Sequence, residues 1–112
     1  MKAVIAAAMF MLAGCAVLES SEAVVFCQAA DTVTTLHALD LGAREGNPFV
    51  DRLLTNLGPG GFVAAKIAVT LAVLHYYPDL SSDFVVLINA ATCAVAAHNA
   101  HVASQLERQP TE

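Results

Sequence analysis

The sequence predicts an all-α integral membrane bundle, with three mature transmembrane helices and a short interfacial helix. Three observations carry that prediction. The 112 residues are 57% hydrophobic and only 13% charged, whereas a soluble domain is typically about a quarter charged. With a mean hydropathy of +0.63, so small a chain has more apolar surface than its own core can hide. Apolar runs of near-span length alternate with breaks rich in Gly, Pro and Ser, the pattern of successive helices and turns. Finally, the charges segregate. Lys2, Arg44, Arg52 and Arg108 fall on one side of a hairpin topology, and Glu19, Glu22, Asp79 and Asp83 on the other. The basic side is cytoplasmic by the positive-inside rule.

Taken in order, residues 1–14 read as a signal peptide or an uncleaved anchor, and residues 15–112 as one helical membrane domain. Met1-Lys2 is a short basic start and residues 3–12 are an unbroken apolar run, the layout of a secretion signal. Leu12-Ala13-Gly14-Cys15 follows and resembles the lipobox of bacterial lipoproteins. That resemblance implies cleavage before Cys15 and a diacylglycerol on its thiol. The other reading is an uncleaved membrane helix over residues 3–18 with Cys15 as a packing residue. Both readings start the next segment outside the cytoplasm.

The first mature span is expected over about 23–42. Alone it is a poor span, because Asp31 near mid-depth costs about 3 kcal/mol on an insertion scale. Gln28, His37 and Asp40 add to that, so neighbouring helices must hold it. At about 100° per residue, Asp31, Thr34, Thr35, Ala38, Gly42 and Glu45 share one narrow face. Gly42 to Gly46 breaks the helix. Asn47-Pro48 reads as a cap and first helical residue. Over 48–57, Phe49, Val50, Leu53, Leu54 and Leu57 occupy one arc and Asp51, Arg52, Thr55 and Asn56 the other, as in a helix lying on a membrane surface. Gly58-Pro59-Gly60-Gly61 ends it.

The second span is expected over about 61–78, interrupted by Lys66, Thr70 and His75, with Tyr76-Tyr77 at the membrane–water boundary. Pro78-Asp79 turns the chain and Ser81-Ser82-Asp83 starts the third span, about 83–103. Its stripe of Asn89, Thr92, Cys93, Ala96, Asn99, Ala100 and Ala103 is a packing face, since small residues permit close approach and the amides bond across helices.

The arrangement Asp31-x-x-Thr34-Thr35, Gly42-x-x-Glu45-x-Asn47-Pro48, then Lys66, resembles an uncharacterised family of small prokaryotic membrane proteins, known only as a domain of unknown function. The resemblance covers about residues 23–100. It implies a helical membrane fold and brings no activity with it.

Asp31 and Lys66 are the candidate buried charges, within a polar network of Asp31, Thr34, Thr35, Glu45, Asn47 and Lys66. Ionisable groups at membrane depth mark ion or proton relays, but an interhelical bond is the plainer use. Counted back from Arg44, Asp31 lies about 20 Å deep and Lys66 about 8–10 Å, at 1.5 Å per residue. That gap is wide for direct contact, although a lysine can bend along its stem. Asp31 and Lys66 are therefore expected in one hydrogen-bonded network, direct or through Thr34 and Thr35, with Glu45 as another partner for Lys66. Cys15, Cys27 and Cys93 form no C-x-x-C or zinc spacing, and Cys27 and Cys93 read as small packing residues without a disulfide. His98-x-x-His101 could share a metal, but its place near a helix end reads as interfacial, as does His75, so no metal site is assigned. No G-x-S-x-G, H-E-x-x-H or Walker A loop occurs, so no catalytic or cofactor-binding residue is assigned. Nothing basic clusters, which argues against a nucleic-acid surface.

The function read from the sequence is a non-enzymatic small integral membrane (lipo)protein of the bacterial inner membrane. It would be a structural or interaction component with a membrane protein partner or a second copy of itself. A small oligomeric ion or proton carrier using Asp31 and Lys66 is the first alternative, and an intramembrane metal-binding protein or enzyme the second.

Overall fold

The computed structural model describes residues 16–109; the signal-like segment and Cys15 lie outside the described residues. Those described are helical, in the order α1 (Ser21–Asp40), α2 (Pro48–Tyr76), a 3-10 turn (Tyr77–Asp79) and α3 (Ser82–Glu107).

Each helix end has a local cause. Ser20 caps α1, its Oγ accepting from the Ala23 N–H at 3.1 Å, with Glu22 in the positive first turn. At the other end Leu41 is the C-cap and Gly42 follows at φ 99°. The Gly42 N–H donates to Leu39 O and the Ala43 N–H to Ala38 O, both at 3.0 Å, a Schellman closure that requires the left-handed residue glycine supplies. Asn47 caps α2 through its Oδ1, which accepts from the Phe49 N–H at 2.9 Å, and Pro48 takes the first turn. The Ser81 Oγ starts α3 by accepting from the Phe84 N–H at 3.2 Å.

Within α2 the backbone breaks at Gly58 (φ 72°, ψ −177°), with Pro59 next. That region of φ/ψ is open almost only to glycine. Pro59 lacks the N–H that a continuous helix would need and suits a fresh first turn. A Cβ at Gly61 would run into Leu57 across the break. Gly58→Ala is expected to cost about 1–3 kcal/mol. Gly60→Ala, whose added Cβ meets nothing, should be neutral or slightly stabilising, since alanine is the better helix former. Denaturant unfolding of the two variants side by side checks the contrast.

α1 is the shared element. It runs parallel to α3, in contact along its length, and α2 leans on α1 while barely touching α3. Ala23 and Ala38 on α1 and Ala96 and Ala103 on α3 are buried at the seam, where small side chains let two backbones close up. Val24 and Val85 fill the Ser21 end, and Phe62 is the one buried side chain of α2 among the described residues.

The cysteines are a correction. Cys27 and Cys93 are bonded as a disulfide across the α1–α3 seam, where their Cα atoms are 4.8 Å apart. Chain spacing could not reveal this, because the two are 66 residues apart in sequence and meet only through helix packing.

Two helical stretches, Pro48–Asp79 and Ser82–Glu107, are long and apolar enough to cross a membrane. Their outward faces expose Ile67, Val69 and Leu71 on α2 and Phe84 and Leu87 on α3. α1 is not among the spans that qualify by hydropathy, though it too exposes Val25, Phe26 and Val33.

Candidate functional site

One face of α1 carries Gln28, Asp31 and Thr35, spaced three and four residues apart so that they stack. All three are buried. Lys66 of α2 reaches across to form an ion pair with Asp31 Oδ2 and donates to Gln28 Oε1 at 3.0 Å. From the other flank, Asn99 of α3 donates its Nδ2–H to Thr35 Oγ1 at 2.9 Å, and lies 3.4 Å from both Asp31 Oδ1 and Thr34 Oγ1. The Thr35 hydroxyl is itself 3.4 Å from Asp31 Oδ1. The three helices thus meet in one polar knot whose centre is the Asp31 carboxylate. A buried charge needs both a counter-charge and hydrogen bonds to be tolerable, and each helix supplies part of that requirement.

The knot is the floor of a cleft. Because α2 and α3 diverge, a slot of about 540 Å³ opens between them above α1. Asp31, Thr35, Lys66, Thr92 and Asn99 line its inner part, Phe62, Val95 and Val102 its walls, and Arg44, Glu45, Asn47 and His98 its mouth. The side chains of Asp31 and Lys66 are 10% and 22% exposed, so the pair is buried yet touches this space.

Not every residue of the expected network belongs to the knot. Thr34 sits at its edge; its hydroxyl donates to Ala30 O at 2.7 Å. Glu45 and Asn47 make a local cap instead. Glu45 Oε1 accepts from the Asn47 N–H at 3.1 Å, and Asn47 in turn caps α2. They share the cleft with Asp31 but no hydrogen bond. Gly42 and Glu45 lie beyond the end of α1 at Asp40, so a helical face extrapolated that far does not exist.

The same early helix end corrects the expected depth gap. From Asp40 back to Asp31 is about 13 Å, and from the Gly58 break on to Lys66 about 12 Å, at 1.5 Å per helical residue. The two residues therefore stand at one level and pair directly. Gln28 was absent from the expected network, although its place three residues before Asp31 was a readable signal. Asn99, expected on the packing stripe of the last span, donates into the knot instead.

The remaining histidines stay apart from the knot. His37 Nε2 lies 2.8 Å from Glu107 Oε1, both half-exposed, tying the ends of α1 and α3 together. His98 lines the cleft mouth and His101 is exposed. Among the described residues, no group of three or more His, Cys, Asp and Glu side chains could hold a metal ion. What the arrangement can do chemically is hold three helices together through one charge pair, or accept and release a proton at Asp31.

No curated protein and no solved structure matches this chain. A family profile does, over residues 23–104, which takes in α1, α2, the polar knot and nearly all of α3. The chain therefore belongs to the family of the domain of unknown function DUF5658.

Proposed function

We propose that this chain is a small integral membrane protein without enzymatic activity, a structural or interaction component of a membrane complex. Its three spans are 23–42, 61–78 and 83–103, the segment 48–57 lies at the inner surface, and the Arg44 and Arg52 side faces the cytoplasm of a bacterial inner membrane. A lipid on Cys15 would hold the other side. The observation that carries this reading is how little of the two apolar helices the chain covers. Only 6% and 17% of their most apolar windows are buried. In water such surface would be a liability; in a bilayer it is the expected outer face. α1 fits as the inner helix, since its polar groups are bonded to one another and to α2 and α3.

Purification in mild detergent tests it. A protein of fixed stoichiometry retained by the chain, and lost on Phe26→Glu or Leu87→Glu, is the expected result. Release of the chain from membranes by an alkaline wash would end the membrane reading, and a chain that runs alone and monomeric would end the complex reading. A proton carrier is the second reading, favoured by the cleft that reaches Asp31. Proton flux on reconstitution that disappears in Asp31→Asn would establish it.

A further inference from the structure

The slot between α2 and α3 runs in one direction from the Asp31–Lys66 pair. Its lining begins at the 41–47 loop with Ala43, Arg44, Glu45 and Asn47, and stops at Asp31 on α1, Lys66 on α2 and Ala91 on α3. No residue nearer the Ser21 end contributes. Beyond the slot the α1–α3 seam is closed, with Val24, Cys27, Gln28, Val85 and Asn89 all buried. A separate cavity of about 310 Å³ between α1 and α2 reaches Gln28, Lys66 and Thr70 from the lipid-facing side. The Cys27–Cys93 bond fastens α1 to α3 within the seam. A buried ion pair therefore sits at the inner end of the slot, with the disulfide-tied α1–α3 seam beyond it.

The contents of such a slot follow from its lining. Thr35, Lys66, Thr92, Asn99 and His98 offer polar partners along its length, and water occupies a space that is roomy and offers two or more such partners. An acyl chain does not suit it, because the polar groups lie at the inner end, where a lipid's hydrocarbon would have to go.

We propose that this slot is a water-filled, one-sided path by which Asp31 exchanges protons with the compartment on the side of the 41–47 loop, and with no other. The charged and titratable groups facing it are Asp31 from α1, Lys66 from α2, His98 from α3, and Arg44 and Glu45 from the loop. In the step itself, a proton leaves a hydronium or buffer acid in the slot and adds to an Asp31 carboxylate oxygen. Lys66 keeps its three protons and its bond to Gln28. The ion pair becomes a neutral acid beside an ammonium, and the site gains one positive charge. α2, which leans on α1 and barely touches α3, then loses its one salt bridge to the rest of the described chain.

This rests on the membrane reading above, and the experiment separates the two. Single cysteines are placed at Val95 and Val102 on the slot walls, and at Val69 on α2 and Phe26 on α1, exposed positions that line neither cavity. The chain is kept full length in vesicles of each orientation, and the unsubstituted chain serves as the blank for native thiols. A small, membrane-impermeant, cationic thiosulfonate should modify Val95→Cys and Val102→Cys from the loop side at least tenfold faster than from the other side, and leave Val69→Cys and Phe26→Cys unmodified. Protection of Val95→Cys from both sides, or equal reaction from both, overturns the one-sided path while leaving the membrane reading standing. Free reaction of Val69→Cys and Phe26→Cys overturns the membrane reading and the proposal together. The proton is read by infrared difference spectra as loop-side pH is lowered. A carboxylic-acid band that is missing in Asp31→Asn is expected, and a band unchanged in that variant would overturn the assignment to Asp31.

Discussion

Replacing Cys27 and Cys93 together by alanine is expected to lower the resistance of the chain to unfolding by as much as about 4 kcal/mol. The bridge closes a loop spanning 66 residues of sequence, and in the chain-entropy account a loop of that size carries about that much stabilisation by restricting the unfolded state. It ties α1 to α3 beside Gln28 and one turn from Asp31, so it also fixes the register that brings Asn99 over Thr35. Denaturant unfolding in detergent, with and without reductant, measures the effect. Reductant should reproduce the loss in the native chain and do nothing to the double alanine variant. Two free thiols in the unreduced native protein would show that the bridge does not form. Disulfides persist in oxidising compartments, so on the proposed topology the bridge should form only in chains whose Ser21 end has crossed the membrane, and be missing when export is blocked.

How much of this could be read from the chain depends on how local the cause was. The caps were legible because they are local: Asn47-Pro48 and Ser81 carry their chemistry in two or three residues. The break at Gly58 was legible for the same reason. The shared face of Asp31 and Thr35 followed from helical period alone. The error began where period was carried past a stop. Gly42 is the left-handed residue that closes α1, and reading it as one more position on the wheel placed Glu45 on a face that has already ended. The same step exaggerated the depth of Asp31 and left open whether it meets Lys66 directly. The disulfide and the role of Asn99 lay outside local reasoning altogether. Both depend on α3 running beside α1 in one particular register, which the packing of Ala23, Ala38, Ala96 and Ala103 decides. Composition could say that these residues would pack, but not against which partner.

Asp31→Ala and Lys66→Ala should each destabilise the bundle by about 3 kcal/mol or more, because each leaves a buried charge without its partner. The double variant should lose clearly less than the sum of the two. Asp31→Ala strands Lys66 with a single described partner, the Gln28 carbonyl oxygen at 3.0 Å. Lys66→Ala strands Asp31 with two contacts among the described residues, Thr35 and Asn99, each at 3.4 Å, beyond the usual length of a good hydrogen bond. Once both are gone neither penalty remains, so the coupling energy should be about 1–3 kcal/mol, the range for residues in direct contact. Gln28→Ala should cost less, about 1 kcal/mol, because it removes one hydrogen bond and leaves the ion pair standing. Asp31→Asn separates charge from hydrogen bonding. It keeps a polar group opposite Lys66 but not the counter-charge, and should fall between native and Asp31→Ala. The full cycle, measured by unfolding in one detergent, decides among these. Strict additivity of Asp31→Ala and Lys66→Ala would mean that the two residues act separately. The knot would then not be what holds α2 to α1, and its place at the foot of a one-sided slot would be the better reason for Asp31 to sit there.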